Sequence, residues 1–107
     1  MAISKVERAT HTFGDLSAAF YDITGPASYA ADGQSVTAAD LGLKYIHFAS
    51  SGGSDNGDQF TAVSHLGNAG FPVTTVKIAW FVMSTGAEVA NAVDLSARTV
   101  RVLVIGR

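Results

Sequence analysis

The feature that most constrains this fold is a dense β-branched segment, residues 98–105, which reads RTVRVLVI. Its interior carries a single charge, Arg101. A segment of this kind must be buried in a sheet, because an exposed apolar strand templates aggregation. Residues 73–83, VTTVKIAWFVM, form the most apolar segment, and we predict that they are both its neighbouring strand and the centre of the core. Val76, Ile78, Trp80 and Val82 share one face of this strand and Lys77, Ala79 and Phe81 share the other, and at least one of Trp80 and Phe81 must belong to the core.

Turn signals divide the rest of the chain into short strands. Residues 9–24 are rich in Thr, Phe, Tyr and Ile, and predict a strand pair, or one long strand bent near Gly14 and Asp15. Another strand is predicted over residues 59–66. About six strands at short spacing, with at most one helical turn, predict an all-β fold: an antiparallel β-sandwich or barrel.

The aromatic segment 44–49 and the polar run after it predict a hairpin. The sequence KYIHFA alternates so that Ile46 and Phe48 would share one face of a strand. Residues 51–58, SGGSDNGD, are polar and glycine-rich, and the dipeptide Asn56-Gly57 is a strong turn signal. We predict a flexible connection at this point, followed by the returning strand.

One short helical turn is predicted in residues 35–42, SVTAADLG. Thr37 is a suitable N-cap, and Asp40 stands three residues on, as in a capping box. Gly42 suits the left-handed position that closes such a turn. The segment is too short to form a packed helix.

Composition and charge narrow the classes of function. The 107 residues are 48% apolar and 15% charged, below the roughly 25% charged content of an ordinary soluble domain, so we expect part of the surface to be covered by copies or partners. The net charge of −2 and the scattered basic residues argue against nucleic-acid binding. The absence of cysteine fits a reducing cytosol, and no apolar run approaches the ~20 residues that span a membrane. With no leader-like pattern at the start, we expect a soluble single β domain over residues 1–107, with residues 1–10 as an N-terminal contact arm.

No pattern of catalytic, metal-binding or cofactor-binding residues stands out. His11, His47 and His65 lack the spacing of a zinc site, although the last two stand on consecutive predicted strands. Residues 55–58, DNGD, offer oxygen ligands without the spacing of a calcium loop, and residues 51–53, SGG, lack the lysine and helix of a phosphate loop. With no nucleophile elbow either, we expect no enzyme, no metal and no cofactor.

Four segments carry a resemblance to a known class of proteins. They are residues 20–24 (FYDIT), 35–43 (SVTAADLGL), 86–97 (GAEVANAVDLSA) and the terminal VRVLVIG. In this order they resemble small structural proteins of tailed bacteriophages, of the capsid decoration or cement type. The resemblance implies a β-rich virion protein, assembled in the host cytoplasm, that binds the major capsid protein on the outer surface of the expanded head as a homotrimer and stabilises it.

Several alternatives remain open. A tail, neck or fibre-base component of the virion would share this composition and habit of assembly. A carbohydrate-binding β-sandwich would use Trp80 or Tyr45 as a stacking surface. An enzyme would require His47, His65 and an acid to converge in one pocket. For a capsid protein, we expect the arm and residues 51–58 to make the contacts.

Overall fold

The computed structural model describes residues 3–5, 11–14, 16–31, 33–65 and 73–107. Within these residues the protein is all-β and antiparallel, as predicted, and its one helical element is a 3₁₀ turn at Ala39–Leu41. The described strands number eight rather than about six, because two strands of three residues each lie along one edge. In chain order the strands are β1 (Ile3–Lys5), β2 (His11–Phe13), β3 (Leu16–Thr24), β4 (Gln34–Thr37), β5 (Ile46–Ser54), β6 (Gln59–His65), β7 (Thr75–Val82) and β8 (Thr99–Gly106).

The strands form one continuous sheet that curls on itself at β5. Their order is β1-β3-β8-β5-β6-β7-β4, with β2 also paired to β3. Strand β5 pairs with β8 from Ile46 to Ser54, with a second shift in register between Ser51 and Ser54, and its end also pairs with β6 at Gly53 and Phe60. We call β1, β2, β3, β8 and the first part of β5 the front sheet, and β6, β7, β4 and the end of β5 the back sheet.

The core lies between the front and back sheets. Buried residues from both sheets form a single cluster, in which Trp80 and Ile46 are fully excluded from solvent. Alternate residues along each strand point into it, as the twofold side-chain period of a strand requires. Strands β3 and β8 contribute Ala19, Tyr21, Ile23, Val100, Val102 and Val104 from the front, and strands β4 and β7 contribute Val36, Val76, Ile78 and Trp80 from the back.

The predicted neighbour of the C-terminal strand is wrong. Strand β8 lies between β3 and β5, whereas β7 lies between β6 and β4. The two most apolar strands therefore face each other across the core instead of pairing edge to edge. Both strands are rich in apolar residues because both bury side chains in the same core, and not because they are hydrogen-bonded to each other.

The predicted faces of the segment 44–49 also require correction. Ile46 is fully buried, but Phe48 is 48% exposed. The pairing of β5 with β8 shifts register between these two residues, at His47. A bulge of this kind turns the following side chains to the opposite face, which simple alternation does not anticipate.

The capping box predicted near residue 40 is confirmed. The Thr37 backbone N–H donates to Asp40 Oδ2 at 3.1 Å, and the Asp40 N–H donates to Thr37 Oγ1 at 3.2 Å. Gly42 ends the turn in the left-handed conformation, with φ 74°. The turn is shorter than predicted, since Gln34–Thr37 belong to β4. The Asp40 carboxylate accepts the hydrogen bond of the Thr37 N–H, so this backbone donor at the outer edge of β4 is not available to pair with another strand.

A buried polar network ties the loops to the back sheet. The Tyr29 hydroxyl accepts a hydrogen bond from the Trp80 backbone N–H at 3.1 Å and donates to Glu88 Oε2 at 2.6 Å. The Trp80 indole Nε1 donates to Gln34 Oε1 at 3.1 Å. The loops after β3 and β7 are therefore both anchored on one strand.

Candidate interaction surface

Trp80 does not form a sugar-stacking surface. Its side chain has no solvent exposure, and its indole N–H is occupied by Gln34. The other stacking candidate, Tyr45, is 38% exposed, and the guanidinium of Arg107 lies 5.5 Å from the centre of its ring. A sugar at Tyr45 would therefore share the ring with a cation–π contact. The alternative of a sugar-stacking surface on Trp80 is therefore excluded, which leaves Tyr45.

The histidines do not mark a metal site in the described part of the chain. His47 is half-buried at the bulge of β5, and its Nε2 has no hydrogen-bond partner. His11 and His65 lie on β2 and β6, and their side chains are outside the described residues. No group of three His, Asp or Glu side chains converges among the residues that the structure describes. The pairing of His47 with His65 across a hairpin is not formed, because this part of β5 pairs with β8.

The polar run at 51–58 is a short hydrogen-bonded turn rather than a long flexible connection. Strand β5 continues to Ser54, so residues 51–53 belong to a strand and do not form a loop for phosphate. In the turn, Asn56 Oδ1 accepts from the Asp58 N–H at 3.1 Å, and Asp55 Oδ1 accepts from the Thr99 N–H at 3.2 Å. Side-chain oxygens of this segment therefore accept hydrogen bonds from the turn and from Thr99 on β8, which agrees with the prediction of a turn without calcium-loop spacing.

The N-terminal arm is described only at residues 3–5. These residues form β1 and pair with β3, with Ile3 opposite Ile23. Ile3 packs against the core. This part of the predicted contact arm therefore belongs to the sheet, while residues 1–2 and 6–10 lie outside the described residues.

The most distinctive surface in the structure is the outer side of the front sheet, where two rows of side chains cross β3, β8 and β5. Register pairs Ala18 with Ile105 and Ile105 with Phe48 in one row. In the second row it pairs Phe20 with Leu103 and Leu103 with Ser50. We call these six residues the front face. Phe48 is 48% exposed and Phe20 38% exposed, so the face presents aromatic surface to solvent.

An ion pair borders the front face at one end. Arg101 donates to both carboxylate oxygens of Asp22, from Nε at 2.7 Å and from an Nη atom at 2.9 Å. These hydrogen bonds hold the pKa of Asp22 below its ordinary value, and the same contact raises the pKa of Arg101. The next row of the sheet, formed by Asp22 and Arg101, therefore carries one negative and one positive charge, which sum to zero. At the other end lie Tyr45 and Arg107.

The outer side of the back sheet has a different character. Phe60 and Phe81 stack on each other there, with ring centres 5.1 Å apart and planes inclined by 13°. Both rings are half-buried, and the next pair along the strands is Ala62 and Ala79. Because these aromatic rings already cover each other, the front face is the better candidate for contact with another molecule.

Periodicity contained part of the signal for the front face. Leu103 and Ile105 are apolar on the parity opposite to the buried valines of β8, which indicates a strand covered on both sides. Periodicity could not assign Phe48 to the front face, because the orientation of this side chain depends on the bulge at His47.

No protein-family model, curated protein or solved structure matches this chain. The described residues also include no helix of the length and apolarity that a membrane span requires.

Proposed function

We propose that this chain is a structural protein of a tailed-bacteriophage virion, a decoration protein that binds the outer surface of the expanded capsid and stabilises it. The observation that carries the proposal is the front face, a partly exposed aromatic and aliphatic surface on the outer side of the front sheet. Surfaces of this type suit contact with other proteins, because Phe and Tyr with scattered Arg are enriched at the centres of interfaces. The resemblance of residues 20–24, 35–43 and 86–97 to decoration proteins supports the same assignment.

The mechanism would be stabilisation by preferential binding. A protein that binds the expanded shell more tightly than the unexpanded one shifts the equilibrium toward the expanded form. Each contact need only be weak, since a shell presents many identical sites and every bound copy adds its own difference in binding free energy to the expanded form. This role requires no catalytic group, which fits a surface of sheet faces and tight turns.

The test is co-sedimentation of the purified chain with heads built from the major capsid protein of the same genome. We expect saturable binding to expanded heads, little binding to unexpanded heads, and a higher temperature of head disruption when the chain is bound. Absence of binding to expanded heads would refute the proposal. Binding to tails or necks alone would favour the alternative virion component.

A further inference from the structure

We propose that the front face is self-complementary, and that a second copy of this chain packs on it around a two-fold axis running along β8. This inference concerns how copies of the chain meet in solution, where the second copy covers the surface that the proposed function assigns to the capsid, so a dimer would have to separate before its front face could contact a head.

The first argument is the distribution of large and small side chains. Strand β8 lies between β3 and β5, so each row of the front face has one residue on either side of the central strand. In one row the small residue, Ala18, is on β3 and the large one, Phe48, is on β5. In the next row the order is reversed, with Phe20 on β3 and Ser50 on β5. The two phenyl rings therefore lie on a diagonal across the sheet.

The second argument is what a two-fold rotation does to this diagonal. A rotation about an axis along β8, between two facing sheets, places the β3 column of one copy over the β5 column of the other. Phe48 then lies opposite Ala18 of the second copy, and Phe20 lies opposite Ser50. Each ring meets a small residue, which is how facing layers interdigitate without voids or overlap. Isologous contacts of this kind generate closed dimers.

The central column is compatible with the same arrangement. Leu103 and Ile105 lie on β8, near the axis, and each meets its own equivalent in the second copy. Arg101 also lies on β8, so the rotation brings the two Arg101 side chains toward each other, while each stays paired with Asp22 of its own copy. The charges of this row sum to zero, but like charges face each other at the axis, so we expect salt that screens this repulsion to strengthen association.

The size of the face sets the expected strength. Strands lie about 4.8 Å apart and rise about 3.3 Å per residue. The whole outer side of β3, β8 and β5, of which the front face is the apolar part, therefore measures roughly 14 by 26 Å over the length of β8. This plan area of roughly 370 Å² is below the ~800 Å² per partner of a standard stable interface. We therefore expect a reversible dimer with a dissociation constant in the range of about 1–100 µM, which assembles and separates with concentration.

The experiment is sedimentation equilibrium of the purified chain from about 1 µM to about 1 mM, a range that spans the affinities expected of weak interfaces. We expect a monomer–dimer equilibrium for the natural sequence. Ala18→Phe places a ring opposite Phe48, and Phe48→Ala removes the ring that fills the gap, so each single variant should weaken association at least about tenfold. The double variant A18F/F48A exchanges the two residues and should restore the dissociation constant to within about threefold of the natural value, because the rotation again brings ring over alanine.

Matched controls separate association from folding. Met83→Ser removes an apolar side chain of similar exposure, 52%, outside the front face, and should leave association unchanged. Thermal melting of every variant establishes that it is folded. A monomer over the whole range, a trimer as the resemblance implies, or a double variant no better than either single variant would overturn the inference. Since no capsid is present, these results are independent of the head-binding test.

Discussion

The substitution Gly106→Ala tests why the last strand and the segment before β5 lie so close together. A Cβ atom at Gly106 would overlap the carbonyl oxygen of Tyr45 and lie 3.0 Å from Cδ1 of Leu43. Directly beside it, the Arg107 N–H donates to the Tyr45 carbonyl at 3.1 Å, and the Tyr45 N–H donates to the Arg107 carbonyl at 2.9 Å. The absence of a side chain at Gly106 is therefore a condition for this pairing.

The expected cost follows from the displacement that a methyl group would force. The backbone at Tyr45 must withdraw by about 1 Å to reach ordinary contact distance. Overpacking of this type costs about 1–3 kcal/mol, and each weakened backbone hydrogen bond adds about 0.5–1.5 kcal/mol. Alanine also lowers the conformational entropy of the unfolded chain relative to glycine, which offsets about 0.4–1 kcal/mol of this cost. We expect a net loss of about 2–4 kcal/mol in the free energy of unfolding, which corresponds to a fall in Tm of about 10–20 °C in a domain of this size.

Gly52→Ala is the matched control. Gly52 also lies in a strand, but a Cβ there has no atom within 4 Å. Gly52→Ala lowers the entropy of the unfolded chain by the same amount but causes no overlap, so the free energy of unfolding should be unchanged or about 0.5 kcal/mol higher. Urea unfolding followed by the fluorescence of Trp80, the single tryptophan and fully buried, measures both variants. If Gly106→Ala and Gly52→Ala agree within about 0.5 kcal/mol, the close approach at Gly106 does not limit stability, and the reasoning is refuted.

Three further predictions concern other parts of the molecule. Trp80→Phe removes the donor to Gln34 Oε1 from a buried site and should lower the free energy of unfolding by about 1–3 kcal/mol in urea titrations followed by circular dichroism, since the variant has no tryptophan, whereas an unchanged value would show that water replaces the indole. Ala92→Gly relieves a left-handed backbone, φ 69°, and should raise Tm, with a lower Tm arguing against strain at this position. Asp22 has its pKa lowered by the hydrogen bonds from Arg101, so its contribution to stability is present above the unfolded value of 3.8 and is lost as pH falls through the folded value. Acid titration of Asp22→Asn should accordingly show a shallower loss of stability below pH ~4, and an identical slope would mean that the pair is not formed in solution.

The parts of the fold that depend on local chemistry were predictable from the sequence. The capping box at Thr37 and Asp40 was predictable because its hydrogen bonds join residues three positions apart. The grouping of Val76, Ile78 and Trp80 on one face of β7 was predictable because strand alternation fixes which residues share a face. The hairpin at Gly14 was indicated by the dipeptide that separates β2 from β3.

The order of strands was not predictable, because apolar content does not identify a neighbour. Strands β7 and β8 are equally apolar, and both satisfy the requirement for burial by facing one core from opposite sides. The sequence also left open which of Trp80 and Phe81 belongs to the core. The complete burial of the Trp80 side chain and the hydrogen bond from its indole N–H to Gln34 show that Trp80 does.

The bulge at His47 connects the fold to the candidate interaction surface. Without the shift in register, residues 46 and 48 would share a face, and Phe48 would compete for space in a core already filled by Ile46 and Trp80. With the shift, Phe48 lies on the outer side, in the same row as Ile105 and Ala18. The same irregularity precedes the point where β5 passes from the front sheet to the back sheet. One extra residue in β5 thus places an aromatic ring on the front face, at the position where a two-fold related copy would present a small one.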